Sequence, residues 1–287
     1  MTELLYQIDS YLQEFDAQVT AIDAEHRAVL LDRTAFYPGG GGQPADSGTL
    51  TVGTEVYPVA RAKKGSQGVW HLLEGESSLP AVGTGVHGKI DCEPRYQLMR
   101  THSALHILCG VVFRDYGAQV TGGDMEPLKG RMDFEFENLS KELVGVIEEA
   151  VNREVQAARA VHVRILPREE AFAIPDLIRT KINLLPPDIQ EIRTVELVGL
   201  DLQADGGTHV ANTREVGQIH VVDYKSKGKI NKRIYIEMEQ FLREGICYAS
   251  HDLDCCPGPA DFLNRHHLDP YQRVFASQRT GCAGRTA

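Results

Sequence analysis

Short runs of strand-forming residues, broken repeatedly by glycine, proline and aspartate, fill residues 1–90 of the chain. Partial alternation of apolar and polar residues within each run predicts a β-strand with one buried face. The runs are "FDAQVTAID", "RAVLLD", "SGTLTV", "EVYPVARAKK" and "GVWHLLEG". Several short strands with frequent turns are typical of a small barrel or sandwich. We therefore expect residues 1–90 to form a small β-barrel-like domain.

The pattern changes near Asp91, where a helical period replaces the alternation. The stretch "EPRYQLMRTHSALHILCGVVFRDYG" predicts a long helix, and an apolar stripe predicts a second helix over about 139–160. Strands are predicted for "VHVRILP" and "IRTVELV", a short helix for "REEAFA", and a hairpin turning at about Gly228 for "EVGQIHVVDYKSK" and "NKRIYIEMEQ". Residues 91–240 are therefore predicted to form an α+β domain with an antiparallel sheet, followed by a tail of unknown role at 241–287.

Length and composition narrow the class of protein. The 287 residues suffice for two domains. The sequence contains no apolar stretch of about 18 residues, so we expect no membrane span. The first residues lack a basic region followed by an apolar one, so we expect no signal peptide and a cytoplasmic protein. Six irregularly spaced cysteines favour reduced thiols. A net charge of −10 argues against a general nucleic-acid coat but allows a local basic patch, and nothing in the sequence sets the oligomeric state.

Two short motifs carry residues that bind metals. His102 and His106 are four residues apart on the predicted helix, so they share one face and can hold one zinc ion, although an isolated pair is more often structural. In "DGGTH", Asp205 and His209 flank a glycine turn that can bring both side chains to one side. Zinc accepts imidazole and carboxylate, and three protein ligands with a water make a catalytic zinc site. The sequence therefore predicts a metal site at these four residues.

The motifs together resemble a known family. "HSALH" paired with "GGTHVANTREVG" resembles the editing domain of alanyl-tRNA synthetases and its freestanding relatives, the AlaX proteins. "DRTAFYPGGGGQPADSGTL", with Gly40, Gly41 and Gly42 in its glycine-rich loop, is similar to the family's glycine-rich motif, and "VDYKSKGKINKRIYIEM" to its closing hairpin. The resemblance covers about residues 15–240 in the family's order. An N-terminal β domain with an editing domain and no aminoacylation domain is similar to the medium-length AlaX class.

The resemblance implies a reaction. It is hydrolysis of the ester in mischarged tRNA(Ala), mainly with serine and also with glycine, using one zinc ion per chain. The family usually has cysteine where this chain has Asp205, and carboxylate is a harder, weaker zinc ligand than thiolate. Metal identity therefore stays open, as does a ligand set of three histidines and water. The metal could polarise the ester carbonyl or lower the pKa of a bound water, or it could hold the substrate's amino group while a free water attacks.

Four polar residues are candidates for supporting roles. A pocket that hydrogen-bonds the serine hydroxyl can reject alanine strongly. We expect Thr34 to make that contact, directly or through water, with an ordinary strand residue as the alternative, and Gln43 is the next polar candidate. Asp201 and Gln203 are candidate partners that fix a histidine tautomer.

Binding of tRNA needs local positive charge. The predicted hairpin contains a basic cluster, Lys225, Lys227, Lys229, Lys232 and Arg233, and a smaller group is Arg61, Lys63 and Lys64. A charged turn is often only solvated, so the hairpin is a candidate tRNA contact. Two alternative functions remain open, which are another metal-dependent hydrolase on the same scaffold and a non-catalytic tRNA-binding module.

Overall fold

A computed structural model of the protein describes residues 2–180 and 189–240. Its N-terminal part is built from short strands. These are β1 (Glu3–Leu4), β2 (Glu14–Asp23), β3 (Ala28–Leu31), β4 (Arg33–Thr34), β5 (Gly48–Val52), β6 (Glu55–Gly65), β7 (Gly68–Leu73) and β8 (Gly85–Ile90). Six of them close into a barrel in the order β2-β3-β7-β6-β5-β8, and β1 pairs in parallel with β4 outside it. The predicted barrel-like fold is confirmed.

The barrel interior follows the apolar positions of the predicted strands. Val29 and Leu50 of these strands are fully buried in it, and Phe36 of the glycine-rich motif is buried with them. Strand β8 was not predicted, because "GVHGKI" contains two glycines and little strand propensity. Gly88 is needed there, since a Cβ at this position would lie 2.5 Å from the ring of Phe15.

The second part combines helices with antiparallel sheets. Its helices are α1 (Cys92–Tyr116), α2 (Lys141–Gln156) and α3 (Arg168–Phe172). Its strands are β9 (Val120–Glu126), β10 (Lys129–Glu135), β11 (Val161–Pro167), β12 (Glu191–Leu197), β13 (Asp201–Ala204), β14 (Ile219–Ser226) and β15 (Asn231–Met238). One sheet has the order β14-β15-β10-β9 and another the order β11-β12-β13. The predicted α+β class with an antiparallel sheet is confirmed.

Most predicted elements of this part lie where the sequence placed them. The two long helices, the strands β11 and β12 and the hairpin around Gly228 are present. Strands β9 and β10 were missed, because "VTGGDME" contains two glycines and only two apolar residues, and four of the seven residues of "KGRMDFE" are charged. The first strand of the hairpin begins later than predicted, at Ile219, because a short 3-10 helix occupies Thr213–Val216. Asn212 caps that helix together with Glu215.

Helix α1 packs closely on both sheets. A Cβ on Gly130 of β10 would lie 3.0 Å from Leu105, so the missing side chain allows the helix to approach that strand. On its other side, a Cβ on Gly110 of α1 would lie 2.9 Å from Leu200 and 3.0 Å from Asp201. The helix is therefore fixed between β10 and β13, and its histidines are fixed with it.

A buried arginine joins the barrel to helix α1. Arg95, in the first turn of α1, donates to Oδ1 of Asp46 at 3.0 Å and to the carbonyl of Ala35 at 2.6 Å. Asp46 also accepts a hydrogen bond from the backbone N–H of Tyr37. Removing either charge would leave the other buried and unpaired, which is strongly destabilising.

Two further expectations concern a membrane span and the C-terminal tail. None of the described helices is both long enough and apolar enough to cross a membrane. The tail predicted at 241–287 lies outside the described residues.

Candidate metal centre

The two histidines of α1 point to one buried place. His102 and His106 are each 5% exposed, and their ring centroids lie 5.2 Å apart. Their spacing of one helical turn puts both rings on the same face, as predicted.

The glycine turn after β13 brings the other two predicted residues to this face. Asp205 continues the sheet, since its N–H donates to the carbonyl of Arg193 at 3.1 Å. Its carboxylate then accepts the N–H of Gly207 at 2.7 Å, which tightens the turn. Gly207 faces His102 so closely that a Cβ would lie 2.3 Å from the imidazole. After this turn the ring of His209 lies 4.2 Å from that of His102.

One nitrogen or oxygen atom from each of the four residues lies within 4.8 Å of the others. Both carboxylate oxygens of Asp205 take part: Oδ1 is 3.4 Å from Nε2 of His102, and Oδ2 is 3.0 Å from Nε2 of His209. Asp205 is the most exposed member, with 17% of its side chain accessible. The structure therefore brings together His102, His106, Asp205 and His209, with solvent access beside the carboxylate.

The outer nitrogen of each histidine has its own polar neighbour. Nδ1 of His102 lies 3.0 Å from Oε1 of Gln43, and Nδ1 of His209 lies 3.2 Å from Oγ of Ser103. Nδ1 of His106 lies 3.2 Å from Oδ2 of Asp201, although the two groups are not aligned as a hydrogen bond. Such neighbours orient imidazoles and leave Nε2 for a ligand.

The support predicted for Asp201 and Gln203 agrees with these positions. The amide of Gln203 donates to Oδ2 of Asp201 at 2.6 Å, and Arg179 donates to its Oδ1 at 3.3 Å. Asp201 is buried and lies beside His106. Gln203 thus acts on the histidine only through Asp201.

Burial and charge set the protonation states of the cluster. Burial lowers the pKa of His102 to about 4, and burial, with the neighbouring His102 adding to it, lowers the pKa of His209 well below its usual value. Burial would also lower the pKa of His106, but the contact with Asp201 outweighs it and raises that pKa. Burial would raise the pKa of Asp205, but the neighbouring His102 and His209 hold it well below its usual range. The cluster therefore favours neutral imidazole at His102 and His209, and a carboxylate.

The hydrogen bonds around Gln43 indicate whether a cation fits between His102 and Asp205. Oε1 of Gln43 accepts the N–H of Thr208 at 3.0 Å, so it is the acceptor for His102 as well. Nδ1 of His102 therefore carries the proton, and the unprotonated Nε2 lies 3.4 Å from a carboxylate oxygen of Asp205. Two electron-rich atoms in this arrangement repel each other unless a cation lies between them. The donor set and its geometry fit a divalent metal ion.

The glycine-rich loop reaches the cluster through its last residues. Gly40 and Gln43 form a tight turn with two backbone hydrogen bonds, which needs the positive φ of Gly41 and Gly42. Gly42 lies against the edge of β9, where its carbonyl accepts the N–H of Met125 at 3.2 Å. A Cβ on Gly42 would lie 3.2 Å from Asp124. The glycines therefore allow close approach to another part of the chain.

The structure gives Gln43 a role within the fold. Its contact with the substrate stays a prediction, and both ends of its amide are engaged, since Nε2 donates to Oγ1 of Thr208 at 2.8 Å. The side chain is 2% exposed. Gln43 is therefore a positioning residue for His102 and for the turn at Thr208.

The structure places Thr34 in the barrel region. It is fully buried, and its hydroxyl lies 2.8 Å from Nε2 of His71 and accepts the N–H of Phe36 at 3.1 Å. Among the residues that the structure describes, these are the hydrogen bonds of that hydroxyl. Burial lowers the pKa of His71 to about 4, so the pair is neutral. Thr34 therefore supports the barrel, and its contact with the serine hydroxyl stays a prediction.

The basic hairpin is only partly available to a partner. Arg233 forms a double hydrogen bond with Asp133 at 2.6 and 2.7 Å, and Lys232 donates to two carbonyls of the turn, so both are used internally. Lys225 pairs with Asp223 at 2.8 Å. Lys227 and Lys229 are exposed and form no ion pair within the described part of the chain. Lys227 and Lys229 are thus the members of the predicted group that the described part of the fold leaves without an ion pair and exposed.

Some contributors to the site were not predicted. Ser103 lies inside the "HSALH" motif, so its position between the two histidines was a signal that could have been used. Arg193 and Ser10 are far from the motifs in sequence. Arg193 donates to the carbonyl of Asp205 at 2.9 Å, and the hydroxyl of Ser10 accepts the N–H of His209 at 3.3 Å. No local pattern marks either residue.

Comparisons with known proteins agree with this geometry. A family described as tRNA synthetases class II (A) matches residues 3–94, and the threonyl and alanyl tRNA synthetase second additional domain matches 192–235. The alanyl-tRNA editing protein AlaX-M of Saccharolobus solfataricus is 40% identical over 239 residues, covering 82% of this chain and 98% of the relative. AlaX-M of Methanosarcina barkeri is 34% identical over 242 residues, covering 83% and 99%.

A longer enzyme is also similar. The alanine–tRNA ligase of Ignicoccus hospitalis is 39% identical over 227 residues, which are 77% of this chain but 24% of the ligase. The AlaX-M proteins, in contrast, match along nearly their whole length. The chain therefore belongs to the AlaX-M family of alanyl-tRNA editing proteins.

Proposed function

We propose that the protein hydrolyses the ester bond of mischarged tRNA(Ala), with serine as the main wrong amino acid and glycine as a second, using one zinc ion per chain. The observation that carries the proposal is the buried cluster of His102, His106, Asp205 and His209. The AlaX-M relatives are named for editing alanyl-tRNA. Editing a charged tRNA requires cleavage of the ester that joins the amino acid to the ribose.

Zinc is favoured by the donor set. Imidazole and carboxylate are both zinc ligands, and a catalytic zinc site keeps one position for a water. The three histidines would fill three positions, and either Asp205 or a water would take the fourth. When bound, the ion supplies Lewis acidity for the ester carbonyl or for the attacking water. Gln43, Asp201 and Ser103 hold the imidazoles in orientation around it. The partial exposure of Asp205 supports entry of the ester from that side.

The tRNA is proposed to contact the tip of the β14–β15 hairpin through Lys227 and Lys229. Both are exposed, whereas Lys232 and Arg233 are engaged within the fold. Changing both exposed lysines to glutamine removes two possible phosphate contacts, so the salt dependence of tRNA binding falls by a slope of about 1–2. An unchanged slope would remove the hairpin tip from the interface.

The experiment for the proposed function compares hydrolysis of seryl-tRNA(Ala) and alanyl-tRNA(Ala) by the zinc-loaded protein. We expect rapid release of serine, with alanyl-tRNA(Ala) largely spared. His106→Asn should abolish the activity, while His162→Asn, at an exposed histidine of β11, should not. Zinc uptake without hydrolysis of any mischarged tRNA would instead indicate another metal-dependent hydrolase. Binding of tRNA with neither zinc uptake nor hydrolysis would indicate a non-catalytic module.

A further inference from the structure

The first residues of the chain run from the barrel to the metal centre. The hydroxyl of Thr2 donates to the carbonyl of Leu31 at 2.8 Å, and β1 continues alongside β4. The ring of Tyr6 then packs edge-on against Tyr37, just before the glycine-rich loop, with centroids 5.3 Å apart. The chain next passes the turn that carries Asp205 and His209. We call residues 6–11 the N-terminal segment.

Two side chains of the N-terminal segment accept hydrogen bonds from backbone N–H groups at the end of the turn that carries Asp205 and His209. Oγ of Ser10 accepts the N–H of His209 at 3.3 Å. The hydroxyl of Tyr11 accepts the N–H of Ala211 at 2.7 Å and donates to Glu215 at 2.7 Å. The segment therefore holds the backbone of a candidate ligand and of the residue two positions after it.

Arg193 makes a third connection to the same turn. Its Nε donates to the carbonyl of Gln7 at 2.9 Å, and its Nη1 donates to the carbonyl of Asp205 at 2.9 Å. Nη1 also lies 3.7 Å from Oδ2 of the Asp205 carboxylate. The guanidinium is buried, with 4% of the side chain exposed. One arginine thus links the N-terminal segment to the other candidate ligand on the turn.

The turn needs such external support. Gly206 and Gly207 separate Asp205 from Thr208, and glycine loses more conformational freedom on folding than any other residue. A ligand-bearing loop of this kind is held in a productive geometry only by its surrounding contacts. The buried N–H of His209 would also lose its acceptor if Ser10 were changed, at a cost of desolvation.

We propose that the N-terminal segment is a positioning element of the metal centre, in which Ser10 and Tyr11 set the backbone of the turn that carries Asp205 and His209. The proposal rests on the proposed function, because it assigns the segment's role through the metal site. Ser10 and Tyr11 act through the backbone of the turn, so they are positioning residues. The segment thereby makes the metal affinity of the second part depend on residues that precede the barrel.

The test uses the double variant Ser10→Ala/Tyr11→Phe in the full chain, with each single variant to guard against misfolding. Zinc alone is titrated into chelator-treated protein against a chromophoric competitor. We expect the double variant to bind zinc about 10–100-fold more weakly, the usual effect of removing partners that orient ligands. Thr2→Val is the matched control, because it removes a buried hydroxyl of the same region that bonds only to the barrel. It should lower thermal stability and leave the zinc Kd unchanged.

Amide hydrogen exchange of the metal-free proteins gives a second readout. We expect faster exchange at His209 and Ala211 in the double variant and not in Thr2→Val. Equal zinc affinity in the double variant and the unmutated protein would overturn the proposal, as would equal loss of affinity in Thr2→Val. If the unmutated protein takes up no zinc, the proposed function fails, and the exchange result then decides the positioning role separately: faster exchange in the double variant alone supports it, and unchanged exchange overturns it.

Discussion

Oε1 of Gln43, at the end of the glycine-rich loop, accepts a hydrogen bond from Nδ1 of His102 at 3.0 Å. The two residues lie in different parts of the fold, since Gln43 follows β4 and His102 lies on α1. The loop thereby fixes which nitrogen of the imidazole faces the metal cluster. This contact explains why a glycine-rich loop in the barrel region accompanies a metal site in the following domain.

Gln43→Ala tests that relationship. The substitution leaves the Nδ1–H of His102 and the N–H of Thr208 without their acceptor. We expect the zinc affinity to fall about 10–100-fold, as measured by competition with a chromophoric chelator. Gln18→Ala is the control, because that amide bonds the carbonyl of Gly83 at the barrel surface. Unchanged zinc affinity in Gln43→Ala would show that Gln43 does not orient the ligand.

We expect opposite results from alanine substitutions at the two glycines of the turn between Asp205 and His209. In Gly207→Ala the added methyl would lie 2.3 Å from Cε1 and 2.5 Å from Nδ1 of His102, so the imidazole must move. Overpacking of this kind costs about 1–3 kcal/mol. We expect lower thermal stability and a loss of zinc binding of at least about tenfold. Gly206→Ala has no atom within 4 Å of the added methyl and should bind zinc normally. Equal zinc affinity of the two variants would contradict the described turn.

The metal-free protein should lose stability as the pH falls from 7 to 5. Burial lowers the pKa of His102 to about 4, so its contribution is complete above about 6.5, the unfolded pKa, and is lost as the pH falls towards 4. The lowered pKa of His209 has the same sign. For His106, the contact with Asp201 outweighs burial and raises the pKa. This shift has the opposite sign, so it offsets part of the stability lost at low pH.

Urea unfolding at pH 7 and pH 5 measures this effect. A histidine whose pKa is lowered to about 4, as for His102, contributes about 1–2 kcal/mol to the loss of unfolding free energy between pH 7 and pH 5. His102→Gln should therefore reduce the difference between the two pH values. A metal-free protein that is equally stable at both values, or a variant with the same pH dependence as the unmutated protein, would argue against burial of a neutral His102.

Thr34→Val separates a structural role of Thr34 from a selective one. The variant keeps the shape of the side chain and removes the hydroxyl that bonds His71 and the N–H of Phe36. Loss of this buried hydrogen bond costs about 1–3 kcal/mol, measurable by urea unfolding. If Thr34 also reads the serine hydroxyl, the preference for seryl-tRNA(Ala) over alanyl-tRNA(Ala) should fall roughly five- to a hundred-fold. An unchanged preference would show that Thr34 supports the barrel without selecting the substrate.

The sequence predicts those features whose signal is local. Alternating runs mark most barrel strands, and the four-residue spacing of His102 and His106 places both on one helical face. Strand β9 lacks such a signal, because its glycines and acidic residues resemble a loop. Its place in the sheet depends on pairing with β10 and on the edge contact with Gly42.

Long-range contacts account for what the sequence could not predict about the site. Ser10 and His209 are 199 residues apart, and Gln43 and Thr208 are 165 apart. Charge counts in the hairpin do not distinguish Arg233, which the sheet register places opposite Asp133, from the exposed Lys229. Which polar groups are engaged within the fold depends on strand register and domain contact.

Stoichiometric reconstitution with zinc tests the central claim most directly. Chelator-treated protein is given increasing amounts of zinc, and the release of serine from seryl-tRNA(Ala) is measured at each step. The four-residue cluster predicts no hydrolysis without metal and a linear rise that ends at about one zinc ion per chain. Full activity of the metal-free protein, or saturation with zinc without any hydrolysis, would contradict the account.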